Sequence, residues 1–274
     1  MSSPANEASP TRRALLAAAG LWLGLPAARA SLPPLQLLSY YDYPPFVTGP
    51  SQGLTYDLTE WLKLNIGNVA AELLPRRRVD ALASQPGWAG VVPWVAPSWF
   101  PSAPQQPYVW SEPLMNDEDL VLSRKSKPVA FEGVQSLRGL TLGGVFGHVY
   151  RDTDPMTERG ELRRIDAFTQ EANLRMLLLG RVDAIFLSRS GLGWWRQRIA
   201  DFDKQIEIAA LPRLRFQRHL MISTQLPAEQ RQALLEGVAR LRASPEWRDM
   251  LQRYEIRLAD QEPLRLAPRT LASA

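Results

Sequence analysis

Between residues 35 and 256 the chain alternates short apolar runs with longer stretches in which apolar residues return every three or four positions. These are the signatures of buried strands and of helices with one buried face. Residues 35–38 predict a strand that Pro44 and Pro45 must end, because neither donates to a β ladder. Leu58, Trp61, Leu62 and Ile66 mark the inner face of a helix closing near Gly67, and Pro75 opens a short second helix over 76–82 with Val79 and Leu82 inward. Residues 90–95 are apolar but contain Pro93, which predicts a short strand or one at a sheet edge. Residues 97–107 read as a proline-rich loop holding Trp99 and Phe100, and residues 120–123 as the next strand.

Residues 140–147 predict a strand running into a glycine-rich turn, residues 172–179 a helix burying Leu174, Leu177 and Leu178, and Val182 with residues 184–187 a second strand. Strand, helix and strand in that order imply a parallel pair, hence a doubly wound α/β sheet. Residues 219–222 are strand-like, and residues 227–241 form an amphipathic helix with Leu234, Leu235, Val238 and Leu241 on its apolar side. Ser244 and Pro245 then restart a helix, as cap and first turn, that buries Trp247, Leu251 and Tyr254.

Ahead of this pattern lies a polar stretch ending in Arg12-Arg13, an apolar run over 14–25 and the small-residue signature Ala28-Arg29-Ala30. Together they predict an export signal over 1–30, removed after Ala30, and an apolar run too short for a permanent membrane anchor. Thr11 to Leu16 resembles a twin-arginine signal, and the general secretory route stays open. The absence of cysteine excludes disulfides, thiol nucleophiles, cysteine-held metals and a lipid on an N-terminal cysteine. Residues 31–274 hold 29 basic and 27 acidic side chains, a balance of +2 with no dense basic stripe beyond Arg76-Arg77-Arg78, so nucleic acid is not an expected partner.

Six segments carry a resemblance. Ser39-Tyr-Tyr-Asp-Tyr-Pro-Pro-Phe46 and Gly53-Leu-Thr-Tyr-Asp-Leu58 resemble the cleft loop and first helix of the family 3 bacterial extracellular solute-binding proteins. Tyr108-Val-Trp-Ser-Glu-Pro113, Leu137-Arg-Gly-Leu-Thr-Leu-Gly-Gly-Val145 and Leu177-Leu-Leu-Gly-Arg-Val-Asp-Ala184 are similar to later segments of that family, in the same order. The closing helices match more loosely, with Pro245 standing where the family has glycine. The resemblance implies a type II periplasmic-binding-protein fold: two lobes, each a doubly wound sheet flanked by helices, joined by two hinge crossings. Lobe one is expected over 31–119 plus 219–262, lobe two over 120–218, and a loose tail over 263–274. The crossings are expected near residues 119–124 and 216–223.

By family position, Tyr43 and Phe46 are expected to line the lobe-one wall of a ligand cleft. One of Tyr40 and Tyr41 is expected to stack on the ligand; strand alternation would turn only one of them to the side of Leu38. Trp110 and Ser111 should lie near the hinge. From lobe two, Gly147, His148 and Tyr150 match a turn that offers backbone N–H groups and a hydroxyl to an anion. Ser188 stands where amino-acid binders place a carboxylate for the substrate ammonium, and the stretch Trp94 to Pro101 lacks the arginine that would hold an α-carboxylate. Trp94 is expected to join an aromatic wall instead, so the implied solute is a small polar or aromatic/cationic one, with an apolar, aromatic or cationic portion.

The role implied is capture of such a solute in the periplasm, by a monomer without cofactor or metal, for an ABC-type membrane permease. A ligand sensor acting on a membrane partner is the alternative. A dehydratase-like enzyme on the same fold would have Asp183, Glu112 and His148 as its acid and base; no H-E-x-x-H, G-x-S-x-G or G-x-G-x-x-G pattern occurs.

Overall fold

The computed structural model describes residues 34–100 and 107–256; the expected export signal and the tail over 263–274 lie outside the described residues. The first elements are β1 (Leu35–Ser39), α1 (Leu54–Asn65), β2 (Val69–Leu73), α2 (Arg76–Ala83), β3 (Gly90–Val95), β4 (Tyr108–Trp110) and β5 (Met115–Arg124). The middle of the chain forms β6 (Thr141–Val145), α3 (Asp154–Glu158), β7 (Arg163–Ala167), α4 (Gln170–Leu178), β8 (Ala184–Ser188), α5 (Leu192–Arg198), α6 (Phe202–Gln205) and β9 (Ile206–Ile208). It closes with β10 (Leu214–Ser223), α7 (Ala228–Ala243) and α8 (Pro245–Arg253).

The strands follow the order β2-β1-β3-β10-β5-β8-β6-β7, with β4 beside β10 and β9 beside β5. Two lobes result. In the first, β1 lies parallel to both β2 and β3, and α1, α2, α7 and α8 bury Leu58, Leu62, Val79, Leu234, Val238, Trp247 and Leu251 in one core with the strands. In the second, β6 runs parallel to β7 and to β8, giving the parallel pair that the strand-helix-strand order implied. Its sheet is covered on both sides, as parallel sheets require. Ile185 and Leu187 of β8 join a core with Leu174, Leu177 and Trp195, while Ala184 and Phe186 join another with Leu137, Leu142 and Met156. Alternation along a strand sends consecutive side chains to opposite faces.

β5 and β10 connect the lobes. Met115 to Asp119 pairs antiparallel with Arg218 to Leu214, after which β5 continues beside β8 and β10 beside β3 and β4. Both strands begin earlier than their apolar runs suggested. Their paired halves, Met-Asn-Asp-Glu-Asp and Leu-Arg-Phe-Gln-Arg, are largely polar because they bridge two cores rather than lie within one.

β3 is short, as Pro93 predicts, yet central in the sheet. All six residues are buried, and the strand sits between β1 and β10 rather than at an edge. Pro93 is tolerated there because β1 pairs only with Gly90 and Val91, and the register with β10 shifts between His219 and Met221. At that irregularity Trp94 takes φ 70°, a left-handed conformation unusual for a bulky residue.

Candidate functional site

A cavity of about 450 Å³ lies between the lobes. Its floor is the hinge, and one wall comes from the end of β1. The chain leaves the sheet at Ser39, so the strict alternation that would separate Tyr40 from Tyr41 no longer applies. Both rings line the cavity, stacked at 4.4 Å with their hydroxyls 3.2 Å apart. Tyr43 follows, edge-on to Tyr41. The turn behind it is set by Gly53, whose φ of 126° and 2.4 Å approach of an added Cβ to the Phe46 carbonyl leave no room for a side chain.

Across the cavity stand His148 and Tyr150, on the turn after β6. The His148 and Tyr43 rings face each other across the lobes at 6.2 Å. Burial, reinforced by the charge of Arg76, lowers His148 to about 4, so it is a neutral hydrogen-bonding group at physiological pH and not a cation. Tyr150 is pushed up to about 12 by burial, and its hydroxyl accepts from the backbone N–H of Val145 at 3.3 Å.

The hinge supplies what the sequence did not announce. Arg218, 1 % exposed, donates from Nε to Asp117 at 2.6 Å, from Nη1 to the Trp94 carbonyl at 2.8 Å and from Nη2 to Ser188 Oγ at 3.0 Å. Asp117 is equally buried and also accepts from the N–H and hydroxyl of Ser190. One guanidinium thus ties lobe one, lobe two and the strand between them. Arg213 donates to Asp119 at 2.5 Å and to Asp152 at 2.6 Å. Asp119 lies opposite Ser188 in the β5–β8 register, within 3.5 Å of its hydroxyl. A carboxylate therefore does occupy the place where Ser188 lacks one, supplied by the neighbouring strand, but Arg213 already neutralises it.

Arg76, at the start of α2, also reaches the cavity; its Nε contacts both Asp80 oxygens, at 3.1 and 3.2 Å. Arg151 closes the rim by donating to the Trp99 carbonyl of the opposite lobe at 3.0 Å, and among the described residues no carboxylate forms an ion pair with it. These guanidinium groups cover the aromatic faces: Arg76 lies 4.5 Å from the Tyr40 ring, Arg218 4.9 Å from Tyr41 and 4.9 Å from Phe216, and Arg213 4.2 Å from Phe186.

Of the expected site residues, the structure brings Tyr40, Tyr43, His148, Tyr150 and Ser188 to the cavity. Phe46 and Trp94 are instead fully buried in the lobe-one core, their rings 5.3 Å apart, with the Trp94 indole N–H donating to Thr55 Oγ1 at 3.0 Å. Packing of β3 against α1 and α8 claims both. Trp110 packs on Phe100 and His219 along β4, away from the cavity lining. Ser111 is buried at the lobe-one end of the hinge, where its hydroxyl accepts from Leu220 N–H at 3.0 Å and its carbonyl lies 2.8 Å from His219 Nδ1. Gly147, with φ 81°, shapes the turn before His148 without lining the cavity. Asp183 and Glu112, expected with His148 in the enzyme reading, do not line the cavity with it. Asp183 caps Thr141 N–H and pairs with Lys127, while Glu112 pairs with Arg242. Among the described residues no cluster of potential metal ligands occurs, and no helix is long and apolar enough to cross a membrane.

Solved structures share this architecture. The GluR0 ligand-binding core from Nostoc punctiforme, in complex with L-glutamate, superposes with a TM-score of 0.63 at 13% identity, over 82% of this chain and 100% of that one. The chain has the two-lobed fold of the type II periplasmic binding proteins. The substrate-binding protein AbpA of an amino acid ABC transporter from Streptococcus pneumoniae, bound to L-arginine, gives 0.59 at 17% identity over 84% of this chain and 96% of its own. An ancestral amino acid-binding protein described as a precursor of cyclohexadienyl dehydratase gives 0.58 at 12% identity, over 80% and 94%. No protein-family model matches the chain, and a search of curated proteins found no match.

Proposed function

We propose that the chain is an exported solute-binding protein whose two lobes close on a small acidic solute and deliver it, as a monomer in the periplasm, to a membrane transporter of the ABC type. The observation that carries this reading is the charge state of the interlobe cavity. Of the five arginines that line it, Arg76, Arg213, Arg215 and Arg218 are paired with carboxylates, and Arg151 has no carboxylate in ion-pair range among the described residues. A guanidinium at a dry site is a strong acceptor of carboxylate or phosphate oxygens. The chain's own guanidinium groups already lie over the Tyr40, Tyr41, Phe186 and Phe216 rings of the cavity, which favours an anionic solute over a cationic one.

Ligand binding to the folded state alone raises apparent stability. Thermal unfolding of residues 31–274 is expected to shift upward with carboxylic acids and not with the matching amines. Arg76→Ala should weaken acid binding tenfold or more by calorimetry, the usual effect of losing a charged hydrogen bond. A preference for amines, or no response to any acid, would overturn the proposal.

A further inference from the structure

The interlobe cavity does not end at the lobe-one wall. A second cavity of about 360 Å³ opens behind it, between α2, the sheet and the segment Trp99-Phe100. The two share Tyr40, Arg76, Asp80, Trp99 and Arg151. Beyond that shared wall the lining turns apolar: Val79, Ala83, Val92, Phe100, Tyr108 and Met221. The charged groups at the second cavity are all at the junction, and the space behind them is built to take hydrocarbon.

From this juxtaposition we infer that the site takes an elongated, amphipathic acid, its carboxylate at the Arg76 and Arg151 junction and its apolar arm in the lobe-one chamber. This deepens the acid-binding reading above and rests on it. Two features of the junction support the assignment. Arg76 contacts Asp80 through Nε, the edge of the guanidinium nearest its own stem. Arg151 spans from lobe two to the Trp99 carbonyl, so the acid head would meet groups from both lobes while the arm stays within one. A site of this form separates solutes by length. Each methylene moved from water into an apolar chamber gains about fourfold in affinity.

The test uses ω-phenyl carboxylates from phenylacetate to 6-phenylhexanoate, titrated calorimetrically into residues 31–274. Affinity is expected to rise about fourfold per methylene until the chamber is full. Two variants fill the chamber: Ala83→Phe, and Ser84→Trp at an exposed chamber position that needs no core repacking. In either variant the dependence on length should vanish, while acetate, which has no arm to place in the chamber, binds as it does to the parent. Flat affinity along the series in the parent protein, or an unchanged slope in a folded Ser84→Trp variant, would overturn the second chamber and leave acid binding standing. Failure of every acid to bind would overturn the acid-binding reading and this inference together.

Discussion

His148 is the side chain whose protonation matters most to the closed cleft. Folded, it stays neutral down to about 4, held there first by burial and then by Arg76, while the unfolded chain takes up the proton near 6.5. Between those values the unfolded state binds more protons, so stability is full above about pH 6.5 and falls as pH drops toward 4. His219, lowered by burial and by Arg242, acts in the same direction. His148→Gln is expected to give a shallower fall in Tm above about pH 5, where Glu118 and Asp183 remain ionised in both states; calorimetry across pH 5–8 reads it, and an unaltered slope would show the imidazole to be solvated. The buried Asp117–Arg218 pair makes a sharper demand. Removing one partner strands a charge with 1 % exposure, so Arg218→Ala should cost about 3–5 kcal/mol in denaturant unfolding. A loss under about 1 kcal/mol, the value of a surface pair, would contradict the described burial.

At the scale of elements, the strands and helices packed inside a lobe were legible because burial leaves a period. α1, α4, α7 and α8, with β1, β6 and β8, all fall where the apolar spacing put them, and Ser244 caps α8 by accepting from Trp247 N–H at 3.2 Å. β2 and β7 went unseen because they are the two outer strands of the sheet, with few buried positions to mark them. The polar halves of β5 and β10 were hidden for a different reason: their partners are charges. Glu118, pushed up by burial, is held below the usual carboxylate range by bonds from Arg215 and Arg189. The same strands carry Asp119 and Arg218, and Arg213 immediately precedes β10, so the arginine-rich floor of the site was invisible for the reason its strands were. The aromatic loop at Tyr40 to Tyr43 could be read from the residues; the burial of Phe46 and Trp94 could not, since core and cleft draw on the same residue types.

At the scale of the whole molecule, the lobes touch through small residues. A Cβ added at Gly191 would lie 2.9 Å from the Pro44 carbonyl, and one at Gly193 2.7 Å from Glu255 Cβ. Gly191 has φ −89° and ψ −9°, a conformation alanine accepts without strain, so its smallness serves the approach of the lobes rather than the backbone. Gly191→Ala should leave thermal stability nearly unchanged and weaken acid binding on the order of tenfold, because binding then works against a wedge. Small-angle scattering with saturating acid would show a larger radius than the parent; equal affinity and radius would mean that closure does not use this contact.

The hinge guanidinium also keeps time. Arg218 holds hydrogen bonds to Trp94 in one lobe, Ser188 in the other and Asp117 between them. Its N–H protons can trade with water only when that three-way knot loosens. Their exchange therefore counts openings of the unlabelled protein, and a ligand that keeps the lobes shut would slow the count.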